Sequence, residues 1–466
     1  MTSRRDQAQA QSYVLGRLNA ALVIGDPEAQ EGPHRRILVG AVGGLLVAAL
    51  VVAGFTVYGL LVPGGATAWR KAETLIVEKE TGSRYIFAGG ALRPVRNYAS
   101  AVLLLGADLK VVSVSAASLR STPRGMPVGI IGAPDSLPVP GALADTAWSV
   151  CALLGRDRNG APAPATALTV TRSPPGRRPL ADDRGLLTRT PADQTFLVWR
   201  SHRFAVTEDW IPGAMGYDAP PLLVEPGWLD QLAAGPDIGP PAVPERGESG
   251  PEADGVATRI GQVFVTRAIG SGDNRYYLLL EDGLSRLTAT AAALVLADPR
   301  TAEAYGSKPV TPIELTPAAV TGLPKSKRSA LPAGVPETPP RLASGPGDTW
   351  CVRRTVPDQS VEVTAGPLPS GLQLTRDGPG VARTGQTAEA VAVAAGAGGV
   401  VRPGRPGQAP GSQLFLVTDA GVSYPIANPE VAEAMGYPPT DAATIPPELL
   451  ALLPTGPALD PNAARG

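Results

Sequence analysis

The side chains best placed to do chemistry in this sequence are two thiols, Cys151 and Cys351, its only cysteines. They stand 200 positions apart and form no C-x-x-C spacing, so a dithiol redox motif is not written here. Two histidines and two cysteines in 466 residues argue against a zinc site of the usual His/Cys composition. His202 lies in the run Arg200-Ser201-His202-Arg203, which reads as a hairpin turn, a solvated place rather than that of a general base. The carboxylate pairs Asp182-Asp183 and Glu281-Asp282 also fall in turn-like sequence. Tyr276-Tyr277 could stack on a sugar, though paired strand aromatics are ordinary packing. No Gly is followed directly by Lys, so a phosphate-cradling G-x-x-x-x-G-K-[ST] loop is absent. There is no G-x-S-x-G; Gly247-Glu248-Ser249-Gly250 belongs to a Pro/Gly-rich stretch. No residue is assigned as catalytic, cofactor-binding or metal-ligating. A formal net charge of −1 gives no electrostatic case for nucleic acid.

The elements that must carry the cysteines are repeated. Phe196-Leu197-Val198, Ala214-Met215-Gly216-Tyr217, Glu225-Pro226-Gly227-Trp228-Leu229 and Gly235-Pro236 return as Phe415-Leu416-Val417, Ala434-Met435-Gly436-Tyr437, Pro447-Glu448-Leu449-Leu450 and Gly456-Pro457. With four methionines in the chain, a shared Ala-Met-Gly-Tyr is not coincidence. Each copy reads as paired strands, a turn-like segment and a Pro-started helix. Weaker relatives occupy Leu75–Pro138 and Val263–Pro324, the latter with a Gly270–Asn274 turn. Asp145-Thr146-Ala147-Trp148-Ser149-Val150-Cys151 is echoed by Asp348-Thr349-Trp350-Cys351-Val352, each followed by alternating strand sequence, Ala167–Thr171 and Val361–Thr364. The pattern is a duplicated half, closing on its twin with pseudo-two-fold symmetry. Cys151 and Cys351 occupy equivalent places, so outside the cytoplasm they could meet on that axis as a disulfide; the alternative is two unpaired buried thiols beside Trp.

Ile37–Val62 contains no charged side chain over 26 residues. As a helix it covers roughly 39 Å, more than the hydrocarbon core of a bilayer. A signal peptide cleaved near Ala66-Thr67-Ala68 is the competing reading, but the apolar run is too long and starts too late. His34-Arg35-Arg36 abuts the N-terminal end, which places residues 1–36 in the cytoplasm and the rest beyond the membrane. In the short cytosolic segment Val14, Leu18, Ala21 and Leu22 share one helical face, expected to lie on lipid or to dock on a partner.

With these pieces the chain resembles the EccB family, the single-span subunit of actinobacterial type VII (ESX) secretion systems. The likeness rests on Thr2-Ser3-Arg4-Arg5-Asp6-Gln7, the span, Trp69-Arg70-Lys71, Leu75–Glu78, Leu92–Ala101, the two Trp/Cys strands and Leu416–Gly421 with Tyr424-Pro425. It departs in Arg/Pro/Gly-rich insertions at Gly155–Gly185 and Pro324–Gly347. The resemblance implies an elongated, β-rich α+β exported region with a central core and four small peripheral repeats, tied by one disulfide. It implies a membrane complex with EccC-, EccD- and EccE-like subunits, EccC being the motor ATPase. Some members carry an ATPase label, and the family's repeats resemble phage cell-wall-binding modules; a nucleotide hydrolase and a peptidoglycan-binding anchor are therefore the alternatives to a structural subunit, and self-association is compatible with each. The expected division is 1–36 cytosolic, 37–62 transmembrane, 63–140 first repeat, 141–190 first core half, 191–240 second repeat, 241–258 linker, 259–345 third repeat, 346–410 second core half and 411–466 fourth repeat.

Overall fold

The computed structural model describes residues 3–24, 33–61, 67–143, 146–156, 159–171, 176–267, 274–343, 348–356, 358–405 and 407–466. Val62, Pro63–Gly65 and all but Asn274 of the Gly270–Asn274 turn lie outside them. The chain divides into two compact units, Met1–Leu92 with Val111–Gly125, and Arg93–Lys110 with Met126–Gly466.

In the first unit, Arg4–Ile24 is helical. Ser3 and Asp6 cap it reciprocally: the Arg5 N–H donates to Ser3 Oγ at 3.2 Å, and the Ser3 N–H donates to the Asp6 carboxylate at 3.2 Å. Pro33–Leu61 forms a second helix, in which Ile37–Tyr58 is long and apolar enough to cross a membrane and none of it is buried by the rest of the chain. Thr74–Glu78 and Arg84–Ala88 pair antiparallel, Ile76 opposite Tyr85, over a small core with Trp69, Leu92 and Leu119.

All four repeats share one plan. A three-stranded meander is followed by a helix (in repeat three also the short Ala302–Tyr305), a fourth strand beside the first, and a further helix; these strands lie in the order third, second, first, fourth, with Ala233–Ala234 and Arg341–Leu342 added to the sheet of repeat two. In repeat three the strands are Val263–Arg267, Asn274–Leu280, Gly283–Leu287 and Ile313–Glu314, with helices Ala289–Ala297 and Pro317–Gly322. In repeat four they are Gly399–Pro403, Leu414–Val417, Ser423–Ile426 and Ala443–Ile445, with Pro429–Ala434 and Pro447–Leu450. The Phe-Leu-Val runs that mark the repeats in the sequence are thus middle strands. Their first strands, Arg184–Arg189 and Gly399–Pro403, precede the expected boundaries at 191 and 411, and Arg341–Leu342 pairs onto Arg184-Gly185 rather than staying with repeat three.

Two further expectations need correction. The stretch 63–140 is not one body: the helix Tyr98–Leu105, capped by Asn97, belongs to the second unit, where Ala99 and Val102 pack with Leu416, Tyr424 and Met435. Nor is 241–258 a loose linker. Ala253 and Thr258 are buried, and Arg246 forms a buried ion pair with Asp298 at 3.2 Å. Its glycines and prolines shape packed turns, such as Gly250 N–H to the Thr258 carbonyl at 2.9 Å.

The core is a seven-stranded sheet in the order Gln373–Leu374, Ala390–Val393, Pro162–Thr171, Ala147–Arg156, Thr349–Thr355, Val361–Gly366, Arg178–Pro179. Two long hairpins, one from each half, meet antiparallel at the middle. Each hairpin is then extended by a strand from the opposite half: Ala390–Val393 runs parallel to Pro162–Thr171, and Arg178–Pro179 borders Val361–Gly366. Period-two alternation sends Trp148, Val150, Leu168, Val170, Val352 and Val363 to one face, where they bury the second helices of repeats two and four through Trp228, Leu229, Leu449 and Leu450.

Candidate functional site

At the centre of the core sheet Cys151 lies directly opposite Cys351 in the antiparallel register, and the two are joined in a disulfide. Both are fully buried on the sheet face away from Trp148, among Ala167, Ala390, Leu153 and Leu372. The strands position them by alternation alone: residues 149, 151 and 153 face one way, 148, 150 and 152 the other. No thiol remains free, which leaves this pair a crosslink between halves.

The Ala-Met-Gly-Tyr motif has a structural role that sequence reasoning did not assign. In each copy the first helix ends at Met, Gly takes a left-handed conformation (φ 78° at Gly216, 87° at Gly436), and the Tyr N–H returns to the helix at 2.9 Å. The buried phenol then reaches across: Tyr217 donates to the Pro340 carbonyl at 2.9 Å, Tyr437 to the Pro138 carbonyl at 2.6 Å. Repeat two thereby holds the segment leading into the second core half, and repeat four the segment leading into the first. Burial pushes both phenols well above the usual tyrosine range, so they stay neutral donors.

The remaining candidates separate. His202 is exposed in a two-residue hairpin whose Arg200 and Ser201 have φ of 47° and 58°, and its Nδ1 contacts the Arg200 carbonyl at 2.8 Å. Asp182 offers its backbone carbonyl to the Trp199 indole at 2.7 Å. Glu281 and Asp282 both lie against Arg328. Tyr276 and Tyr277 belong to apolar clusters on opposite faces of their sheet, so they form no common platform. Among the described residues no group of three or more His, Cys, Asp or Glu side chains could hold a metal ion. On the N-terminal helix Val14, Leu18 and Leu22 are 53–78% exposed, and Ala21 is half-buried beside the buried Ala20.

The whole chain, residues 1–466, matches the family described as "Type VII secretion system ESX-1, transport TM domain B". The "ESX-2 secretion system ATPase EccB2" of Mycobacterium tuberculosis (strain ATCC 25618 / H37Rv) is 30% identical over 99% of this chain and 94% of its own. The solved "EccB3 dimer from the ESX-3 core complex" is similar with a TM-score of 0.63 and 26% identity, over 84% of this chain and 99% of that one. A chain of the periplasmic assembly from an ESX-5 inner membrane complex shares the fold with a TM-score of 0.68 at 24% identity, over 87% of this chain and 97% of that one. With a match from end to end, and with the span, the duplicated β-rich halves and the central crosslink in place, this chain belongs to the EccB family of type VII secretion membrane components.

Proposed function

We propose that this chain is a non-enzymatic scaffold of a type VII secretion membrane complex, with residues 1–36 in the cytoplasm and the repeats and core beyond the membrane. Its partners are EccC-, EccD- and EccE-like subunits, and it self-associates, as the neighbour solved as an EccB3 dimer suggests. The observation that carries this reading is the N-terminal helix. Val14, Leu18 and Leu22 are more than half exposed among the described residues. Burying them against a partner is worth roughly 1–2 kcal/mol each.

The ATPase in the relatives' names has no counterpart in a phosphate-binding loop of this sequence. Purified full chain should turn over nucleotide no faster than a heat-inactivated control. Leu18→Asp should release the chain from the complex on mild detergent extraction while leaving it in the membrane, because the Pro33–Leu61 helix anchors it regardless. Assembly and secretion both intact in Leu18→Asp would refute the docking role.

A further inference from the structure

Repeat three contains the larger and more cationic of two like-placed grooves; its counterpart in repeat two, about 380 Å³, is lined by Gln194, Phe196, Ala205 and Pro226. Between the sheet of repeat three and the helix Pro317–Gly322 lies a cavity of about 650 Å³. One wall is the sheet face bearing Arg275, Tyr277 and Arg286; the other is the helix with Pro317 and Val320, and Lys325 follows it. The strand register fixes this wall. Tyr277 sits directly opposite Arg286, and Arg275 is two residues along the same strand on the same face. Leu284, two residues before Arg286, bridges to Lys325 and brings that cation to the far end.

Arg275, Arg286 and Lys325 are exposed and have no ion-pair partner among the described residues. A fourth cation, Arg267, is neutralised by Glu314 at 2.6 Å, and Asp254 is engaged by Thr316 at 3.0 Å. The cations do not converge on a point. From Arg275 to Leu279, which pairs with Leu284, the sheet face opens over roughly 13 Å at about 3.3 Å per residue. Apolar floor lies between them: Tyr277, Leu284 and Val320 belong to one cluster.

We propose that this groove binds an acidic, extended peptide segment of a partner protein, carboxylates on the spaced cations and one apolar side chain on the floor between them. The spacing suits a chain of separate charges, and arginine guanidinium suits carboxylate. The apolar floor favours a peptide over polyphosphate, which has nothing to place there. The proposal does not depend on the scaffold reading above, since it concerns the surface of repeat three alone.

The test uses the detergent-solubilised full chain and a fluorescein-labelled peptide Glu-Glu-Leu-Glu-Glu, read by anisotropy in roughly 50 mM salt, where screening is modest. Binding should be saturable. The double variant Arg275→Gln/Arg286→Gln should weaken it by at least about tenfold, the scale of one or two charge-assisted hydrogen bonds. Arg328→Gln, whose charge already faces Glu281 and Asp282 outside the lining, should leave affinity unchanged. Replacing the peptide's central Leu by Ser should cost several-fold in affinity. The proposal is overturned by absence of saturable binding, or by equal losses in Arg328→Gln and the double variant. It is also overturned if tripolyphosphate displaces the peptide while the Leu-to-Ser change costs nothing, which would make the groove a general anion site. Unchanged melting of the double variant separates lost binding from lost fold.

Discussion

Repeats two and four pack the sheet face beneath their second helix against the central core, whereas repeat three packs the same face within itself. Matching the sheets strand by strand, Tyr277 of repeat three takes the place of Phe196 and Phe415. Arg286 takes that of Ala205 and Pro425, and Arg275 that of Gln194 and Gln413. In repeats two and four the face joins a cluster with Trp148, Val150 and Val352 of the core. In repeat three the equivalent face forms a small cluster of its own around Phe264 and Leu279. The plan common to the repeats therefore does not decide what a face does. Two or three side chains at its open end decide whether the groove there is cationic.

The sharpest way to break this contrast is to truncate the anchor of one buried face. Trp228 is fully buried and donates to the Trp350 carbonyl at 3.2 Å. Trp228→Ala should destabilise by about 3–5 kcal/mol in denaturant unfolding of the full chain, while Val320→Ala in repeat three, which is only partly buried, should cost less than about 1.5 kcal/mol. Equal losses would show that the two faces are not different in kind. Next in size is the crosslink. Cys151→Ser should lower stability by about 2–4 kcal/mol, and reductant should bring the unmodified chain to the same midpoint. Non-reducing mass spectrometry should find one linked peptide pair containing Cys151 and Cys351. The smallest effect separates the tyrosines. Tyr437→Phe leaves the Pro138 carbonyl without its donor and should cost about 1 kcal/mol, whereas Tyr277→Phe should change stability by less than about 0.5 kcal/mol.

Much of this was legible in the residues because some features are local. The span is written in one uncharged run, and the pairing of repeats two and four in a tetrapeptide built around a rare methionine. The cysteines could be placed together because duplication puts equivalent residues near an axis. What was not legible depends on register or on very short elements. Arg178–Pro179 is a two-residue strand and carries no periodicity. The stretch 241–258 has the composition of a linker, and composition does not distinguish loose chain from tightly turned chain held by a buried pair such as Arg246–Asp298. Arg275 and Arg286 are eleven positions apart and become neighbours only through the pairing of their strands. The signal was present as Arg-x-Tyr on a strand, but its meaning required knowing which residues share its face.

The strand exchange in the core sheet also sets a schedule. The hairpin of the first half ends with Pro162–Thr171, and its outer neighbour Ala390–Val393 lies more than two hundred residues later. The hairpin of the second half needs Arg178–Pro179, made long before it. Neither half can finish its sheet alone, so the core closes only after nearly the whole chain has been made. Contacts of such wide sequence separation fold slowly. Until then the first hairpin carries an open edge that must be kept from other strands. For a chain made from its N-terminus, folding of the core is a late event, timed by the arrival of its last third.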